Sequence, residues 1–132
     1  MALAVAVKST TMSQSEIVLN FQVTASGNYT AGGDTLDFYS ATYPPGGPNL
    51  AATLPPRFVE ILSQPSSGDT SSVKYVYSYA PGTDPSNGLM QVFGTGTASQ
   101  DPLNEIPGAP TAYPVAVTGD TIVGRAYFTK EV

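Results

Sequence analysis

The sequence contains neither cysteine nor histidine. Without cysteine the chain can form no disulfide and offers no thiolate nucleophile, and without histidine it lacks the side chain that most often transfers protons near neutral pH. Together these absences remove the Ser-His-Asp and Cys-His mechanisms and the usual zinc sites. We therefore expect a protein that is not an enzyme and that uses no metal ion or cofactor.

Charged residues are scarce as well, at 11% of the chain where about 25% is usual. Ten acidic residues outnumber five basic ones, which gives a formal net charge of −5. The basic residues are scattered and form no run: Lys8, Arg57, Lys74, Arg125 and Lys130. Binding to nucleic acid or to an anionic membrane needs clustered Lys or Arg, so we expect neither partner.

Long apolar runs are also missing, and none approaches the roughly 20 residues that a membrane helix needs. The N-terminal stretch MALAVAVKSTT has no basic region and too short an apolar region for a secretory signal. We expect a soluble protein that is made in the cytoplasm and not secreted.

Glycine and proline are abundant, with 13 and 12 residues among 132, and hydrophobic residues at 41% argue against disorder. The length predicts a single domain over residues 1–132. Period-two alternation of apolar residues, which is typical of half-buried strands, recurs along the chain. It predicts strands in the following segments: 16–25, 35–39, 57–62, the hairpin 73–93, 113–117 and 121–128. Residues 1–12 form either a first strand or an N-terminal arm.

These seven to eight strands predict an all-β fold, an antiparallel β-sandwich or a jelly-roll-like barrel with long Pro/Gly-rich loops. Both faces of segment 57–62 are apolar, so we expect this strand to be buried between layers. Segments 43–56 and 94–110 read as extended loops, the second with one helical turn at PLNEI. Gly-Asp-Thr occurs at 33–35, 68–70 and 119–121, where it is typical of a turn before a strand.

The most distinctive feature is a stripe of three tyrosines, Tyr75, Tyr77 and Tyr79, on one face of the predicted hairpin. Tyrosine packs well across strands, so the stripe can border a core. It can also form a protein interface, where tyrosine is enriched. A sugar-stacking platform is the third interpretation, although the chain has no tryptophan.

The acidic residues provide no convincing catalytic pair. Asp34 and Asp37 are close in sequence, but at this spacing on a strand they point to opposite faces. They therefore make a poor calcium site and a poor acid and base pair. Asn28-Tyr29-Thr30 matches a glycosylation acceptor, which has no role in a protein that is not secreted.

The order of these features resembles small structural proteins of tailed bacteriophage virions. The resemblance rests on the N-terminal stretch, GGDTLDF, the proline-rich loop, YVYSYAPGTDPSNGLMQVF and the terminal AYPVAVTGDTIVGRAYFTKEV. It implies a capsid decoration, or cement, subunit on the outside of the virion, often trimeric, whose partner is the major capsid protein. The alternative is a carbohydrate- or receptor-binding β-module of a phage fibre or tail.

If the resemblance holds, we expect a sheet face, the N-terminal arm and the long loops to contact neighbouring subunits. The candidate interface residues are Tyr75, Tyr77, Tyr79, Tyr43, Pro44, Pro45, Leu3 and Val5.

Overall fold

The computed structural model describes residues 3–41, 47, 49–63, 75–94, 104–106 and 112–130. Within these ranges the chain forms eight strands and one helical turn. They are β1 (Leu3–Met12), β2 (Glu16–Ala25), β3 (Asp34–Leu36), β4 (Phe58–Ser63), β5 (Tyr75–Ala80), β6 (Gly88–Gly94), β7 (Asn104–Glu105), α1 (Val115–Thr118) and β8 (Ile122–Thr129). The prediction of an all-β fold with seven to eight strands is confirmed.

The strands form two antiparallel sheets. In sheet A the order is β1-β2-β8-β4, and in sheet B it is β3-β6-β5, with β7 also paired to β6. β1 pairs with β2 along its length, with a register shift between Val7 and Ser9, so residues 3–12 form a first strand and not an arm. β8 lies between β2 and β4 in sheet A.

The two sheets pack face to face around aromatic side chains, which supports the sandwich. β2 alternates as predicted: its inward residues, from Ile17 to Ala25, are at most 3% exposed. Phe38, just after β3, lies 4.9 Å from Phe21 and 5.8 Å from Phe128, measured between ring centroids. These edge-on contacts join sheet B to both central strands of sheet A.

The hairpin is confirmed over residues 75–94, where β5 and β6 pair antiparallel. Its loop is closed by Asn87, whose side-chain oxygen accepts hydrogen bonds from the N–H groups of Thr83 and Asp84, at 2.9 and 3.1 Å. The predicted hairpin residues 73 and 74 lie outside the described residues. Residues 49–56 of the predicted proline-rich loop lie in no strand or helix.

β4 is not buried between layers, and the prediction of burial on both faces is wrong. Ile61 is buried, whereas Phe58 and Leu62 are 56% and 54% exposed. β4 lies at the edge of sheet A, and only one face of that sheet is covered by sheet B. The second apolar face of the strand therefore points away from the core.

Residues 113–117 do not form the predicted strand. The chain turns once as α1, and the Pro114 carbonyl accepts hydrogen bonds from the N–H groups of Val117 and Thr118, at 2.8 and 3.1 Å. Proline fixes φ near the helical value and is favoured where a helix begins. A short apolar run does not distinguish strand from helix by periodicity, and here the proline decides.

The predicted helical turn at PLNEI is also wrong where the chain is described. Asn104 and Glu105 form the short strand β7 and pair with Gly94 and Phe93. The Glu105 carboxylate also accepts a hydrogen bond from the Gly32 N–H at 2.6 Å, which ties β7 to the turn before β3.

Candidate functional site

The tyrosine stripe belongs largely to the core of the sandwich. Tyr77 is 6% exposed, and Tyr75 and Tyr79 are partly buried and pack against the core. The Tyr79 ring also lies 5.8 Å from the Phe38 ring. The structure therefore favours the interpretation of the stripe as a border of the core. Little of Tyr77 is left for stacking against a sugar.

The other candidate interface residues lie in three places. Leu3 is 2% exposed, so its side chain packs inside the chain and offers almost no area to a partner. Val5 is partly buried and packs against the core. Tyr43, Pro44 and Pro45 lie outside the described residues.

Two of the Gly-Asp-Thr segments have a role that their sequence did not reveal. Asp34 accepts a hydrogen bond from the Tyr113 hydroxyl, and Asp120 accepts one from the Tyr77 hydroxyl at 2.8 Å. Asp34 is 9% exposed. Each pair joins distant parts of the chain. The segment at 68–70 lies outside the described residues.

Both phenols in these pairs stay protonated at neutral pH. Burial, followed by the hydrogen bond to Asp120, raises the pKa of Tyr77 well above its usual value. Burial and then the bond to Asp34 raise the pKa of Tyr113 in the same direction. A phenol that holds its proton and donates to a carboxylate is a structural tie. The pairs therefore stabilise the fold.

The two aspartates near β3 do not converge, in agreement with the sequence spacing. Asp34 is buried against Tyr113, whereas Asp37 accepts hydrogen bonds from the N–H groups of Tyr39 and Ser40, at 2.9 and 3.1 Å. Asp37 thus caps a turn. Among the described residues no three acidic side chains come together in a way that could hold a metal ion.

The candidate functional site is the outer face of sheet A, the face that points away from sheet B. Its cross-strand register places three rows of side chains side by side. They are Val18, Tyr127 and Phe58; Asn20, Arg125 and Glu60; and Gln22, Val123 and Leu62. Lys8 borders the same surface, at a shallow depression of about 400 Å³ that Asn20, Glu60, Leu62 and Arg125 also line.

The outer face of sheet A is held rigid by contacts across the strands. The Arg125 Nε–H donates to the Asn20 side-chain oxygen at 2.8 Å, and the Asn20 amide donates to Ser9 Oγ at 2.7 Å. The rings of Phe58 and Tyr127 lie 5.6 Å apart. The surface thus combines exposed apolar side chains with an ordered polar row, as the contact surfaces of protein interfaces do.

The charges on this face differ from those of the rest of the chain. Lys8, Arg57 and Arg125 are basic, and Glu16 and Glu60 are acidic. Arg57 and Glu16 form an ion pair at the end of the face. The face therefore carries one net positive charge on a chain whose formal net charge is −5.

Sequence reasoning missed this face because its members come from four strands. The apolar residues on both faces of segment 57–62 predict a buried strand, and in the sequence Lys8 and Arg125 are two scattered charges. The alternation of Phe58 and Leu62 with Ile61 was visible, but the sequence does not show which side another sheet will cover.

A second, mostly apolar groove of about 400 Å³ lies where β1 and β2 meet residues 49–51. Met12, which is 55% exposed, and the buried Leu50 are among its lining residues.

Helix α1, the one helix in the described ranges, is four residues long and cannot cross a membrane.

No family model matches the chain, and neither a curated protein nor a solved structure matches it.

Proposed function

We propose that the chain is a non-enzymatic structural subunit of a phage virion, which binds the outside of the assembled capsid as a homotrimer and stabilises it. The observation that carries the proposal is the outer face of sheet A. There Phe58 and Leu62, each more than half exposed, stand on a hydrogen-bonded sheet beside an ordered polar row. A subunit whose work is contact needs such a surface and no reactive group.

The proposed mechanism is stabilisation by binding. A ligand that binds the assembled shell and not its free subunits shifts the equilibrium towards the shell, by RT ln(1 + [L]/Kd) for each site. Stable interfaces bury about 1,600 Å² in total, and the apolar part contributes about 25 cal/mol per Å² before the cost of association is subtracted. A rigid sheet face lowers the corresponding cost of the contact between copies of the trimer, because few side chains must be ordered on binding.

The phenol and carboxylate pairs are consistent with a structural subunit, because they stabilise its fold. They join distant parts of the chain by hydrogen bonds, as at Asp120 and Tyr77, which is 6% exposed. A carbohydrate-binding module is less well supported, because Tyr77, the centre of its proposed stacking platform, is buried.

The test uses the phage that encodes this chain. We expect mass spectrometry of purified virions to detect the protein, and cryo-electron microscopy to place it on the outer capsid surface. Recombinant protein added to undecorated shells should raise the temperature at which they dissociate. Absence from purified virions, or a position inside the shell, would contradict the proposal.

A further inference from the structure

The outer face of sheet A and the rest of the chain carry net charges of opposite sign. The face has one net positive charge, from three basic and two acidic residues. The remaining sequence contains the other eight acidic residues and only two basic ones. The face is therefore net positive, and the rest of the chain is net negative.

Two acidic turns lie side by side at one end of sheet B. One follows β3 and is capped by Asp37. The other lies in the β5–β6 loop, where the Asp84 carboxylate accepts hydrogen bonds from the Ser86 N–H at 2.7 Å and from the Ser86 hydroxyl at 2.6 Å. The Phe38 N–H donates to the Pro85 carbonyl at 3.0 Å and holds the two turns together. We call this region the acidic turns.

The acidic turns also offer apolar surface. Tyr39 is 45% exposed and lines a groove of about 300 Å³ together with Ala52, Asp84 and Pro85. The hydrogen bonds from Ser86 lower the pKa of Asp84, so its charge persists at mildly acidic pH. The acidic turns thus present an exposed aromatic ring and two carboxylates, whereas the outer face of sheet A presents the exposed ring of Phe58 and three cations.

We infer that the outer face of sheet A binds the acidic turns of a second copy of this chain. Lys8 and Arg125 face Asp37 and Asp84 of the neighbouring copy, and Phe58 or Leu62 enters the groove beside Tyr39. The two regions share no residue, so the contact is head to tail, and successive copies close into a ring if the rotation between them permits.

A second copy fits this surface better than an anionic polymer does. Glu16 and Glu60 interrupt the cations of the face, and a phosphate backbone would be repelled at both positions. The inference deepens the proposed function, and its relevance to a capsid rests on that function. The contact itself is a property of the free protein and can be measured without a shell.

The test is sedimentation equilibrium of purified variants. Lys8→Glu reverses the net charge of the face, and Asp84→Lys reverses a charge on the acidic turns. We expect each change to weaken self-association about tenfold or more, and an equimolar mixture of the two variants to associate better than either variant alone. In the mixture a reversed face can meet a reversed turn and an unchanged face an unchanged turn, so a ring of three contains two matched contacts and one mismatched contact.

Two further variants make the result specific. Glu60→Lys adds positive charge to the face and should tighten association, most strongly at low salt. Asp84→Asn can keep the hydrogen bonds from Ser86 and should weaken association less than Asp84→Lys. Far-UV circular dichroism tests whether each variant folds. If Asp84→Lys does not fold, Asp37→Lys takes its place.

A monomeric wild-type protein at high concentration would overturn the inference, as would a mixture that associates no better than its separate components. A contact between two outer faces would be weakened by Lys8→Glu but not by Asp84→Lys, and that pattern would also overturn it. Shell binding distinguishes the two proposals. A Lys8→Glu monomer that still coats shells would support the contact between copies and overturn the trimeric part of the proposed function, whereas a wild type that associates but never binds shells would overturn only the proposed function.

Discussion

The Tyr77 hydroxyl donates a hydrogen bond of 2.8 Å to Asp120 Oδ2, which joins β5 in one sheet to the turn before β8 in the other. Tyr77 is 6% exposed. The second oxygen of Asp120, Oδ1, is buried and has no hydrogen-bond partner among the described residues. The hydrogen bonding of the Asp120 carboxylate therefore depends largely on one phenol, which lies 43 residues away in the sequence.

Replacing that phenol should be costly although the ring is kept. In Tyr77→Phe the packing stays, but Asp120 loses its hydrogen bond in a partly buried place. We expect a loss of about 1 to 3 kcal/mol in the free energy of unfolding, measured by urea denaturation. Tyr127→Phe, on the outer face of sheet A, is the matched control and should change it by less than about 0.5 kcal/mol. Equal losses in the two variants would show that the hydrogen bond contributes nothing.

Stability should fall at alkaline pH because the folded state holds phenolic protons tightly. Burial, then the charge of Asp84, raises the pKa of Tyr79 to about 12, and the pKa values of Tyr77 and Tyr113 are raised further. An unfolded phenol has a pKa of about 10. Above that pH the unfolded chain releases protons that the folded chain keeps, so the free energy of unfolding decreases as pH rises. Below it, the contribution of these groups is complete.

Two measurements check this dependence. The urea midpoint should stay nearly constant from about pH 8 to about pH 9.5 and then fall steeply, if phenols with raised pKa values lose their protons on unfolding. Ultraviolet absorbance should show that some of the eight tyrosines form tyrosinate only when the protein unfolds. A full tyrosine titration near pH 10 in protein that is still folded would contradict the prediction.

The parts of the fold that the sequence predicted are those decided by neighbouring residues. Alternation alone is enough for β2, for the hairpin over residues 75–94 and for the inward face of β8, where Ile122, Ala126 and Phe128 are buried. The strand prediction for segment 113–117 is wrong because the segment alternates only weakly and contains Pro114, which favours a helical turn.

The candidate site was harder to predict because it depends on contacts between distant residues. Asn20 and Arg125 are cross-strand partners 105 residues apart, and nothing local to either residue indicates the pairing. Both faces of β4 are apolar, which predicts a buried strand, whereas its place at the edge of a sheet is a property of the topology. An exposed apolar strand face has the same sequence pattern as a buried one.

A glycine in β8 should tolerate no side chain. A Cβ added at Gly124 would lie 2.4 Å from the Glu60 carbonyl oxygen and 2.5 Å from the tip of the Phe21 ring. Gly124→Ala must therefore displace either the backbone of β4 or the ring, and overpacking of this kind costs about 1 to 3 kcal/mol. Thermal unfolding followed by circular dichroism measures the loss.

Phe21→Leu tests the cause of that loss. If the ring is part of the clash, the double variant Phe21→Leu/Gly124→Ala should be more stable than the sum of the two single changes predicts. Strict additivity would mean that the clash with the Glu60 carbonyl accounts for the whole effect. No loss in Gly124→Ala would contradict the close packing of β4, β8 and Phe21.

The last prediction concerns two neighbours on β4 that point to opposite faces. Ile61 is 8% exposed and Leu62 is 54% exposed. Ile61→Ala should cost about 2 to 4 kcal/mol, because the change removes buried methyl groups and leaves a cavity. Leu62→Ala, a change of nearly the same size, should alter the free energy of unfolding by less than about 0.5 kcal/mol.

Self-association should respond in the opposite order. Leu62→Ala removes apolar area from the outer face of sheet A and should weaken the contact between copies, whereas Ile61→Ala should leave that contact intact in protein that remains folded. Urea denaturation at low protein concentration and sedimentation equilibrium separate the two effects. A large loss of stability in monomeric Leu62→Ala would mean that Leu62 is buried within a single copy, and Phe58 and Leu62 would then not form a contact surface.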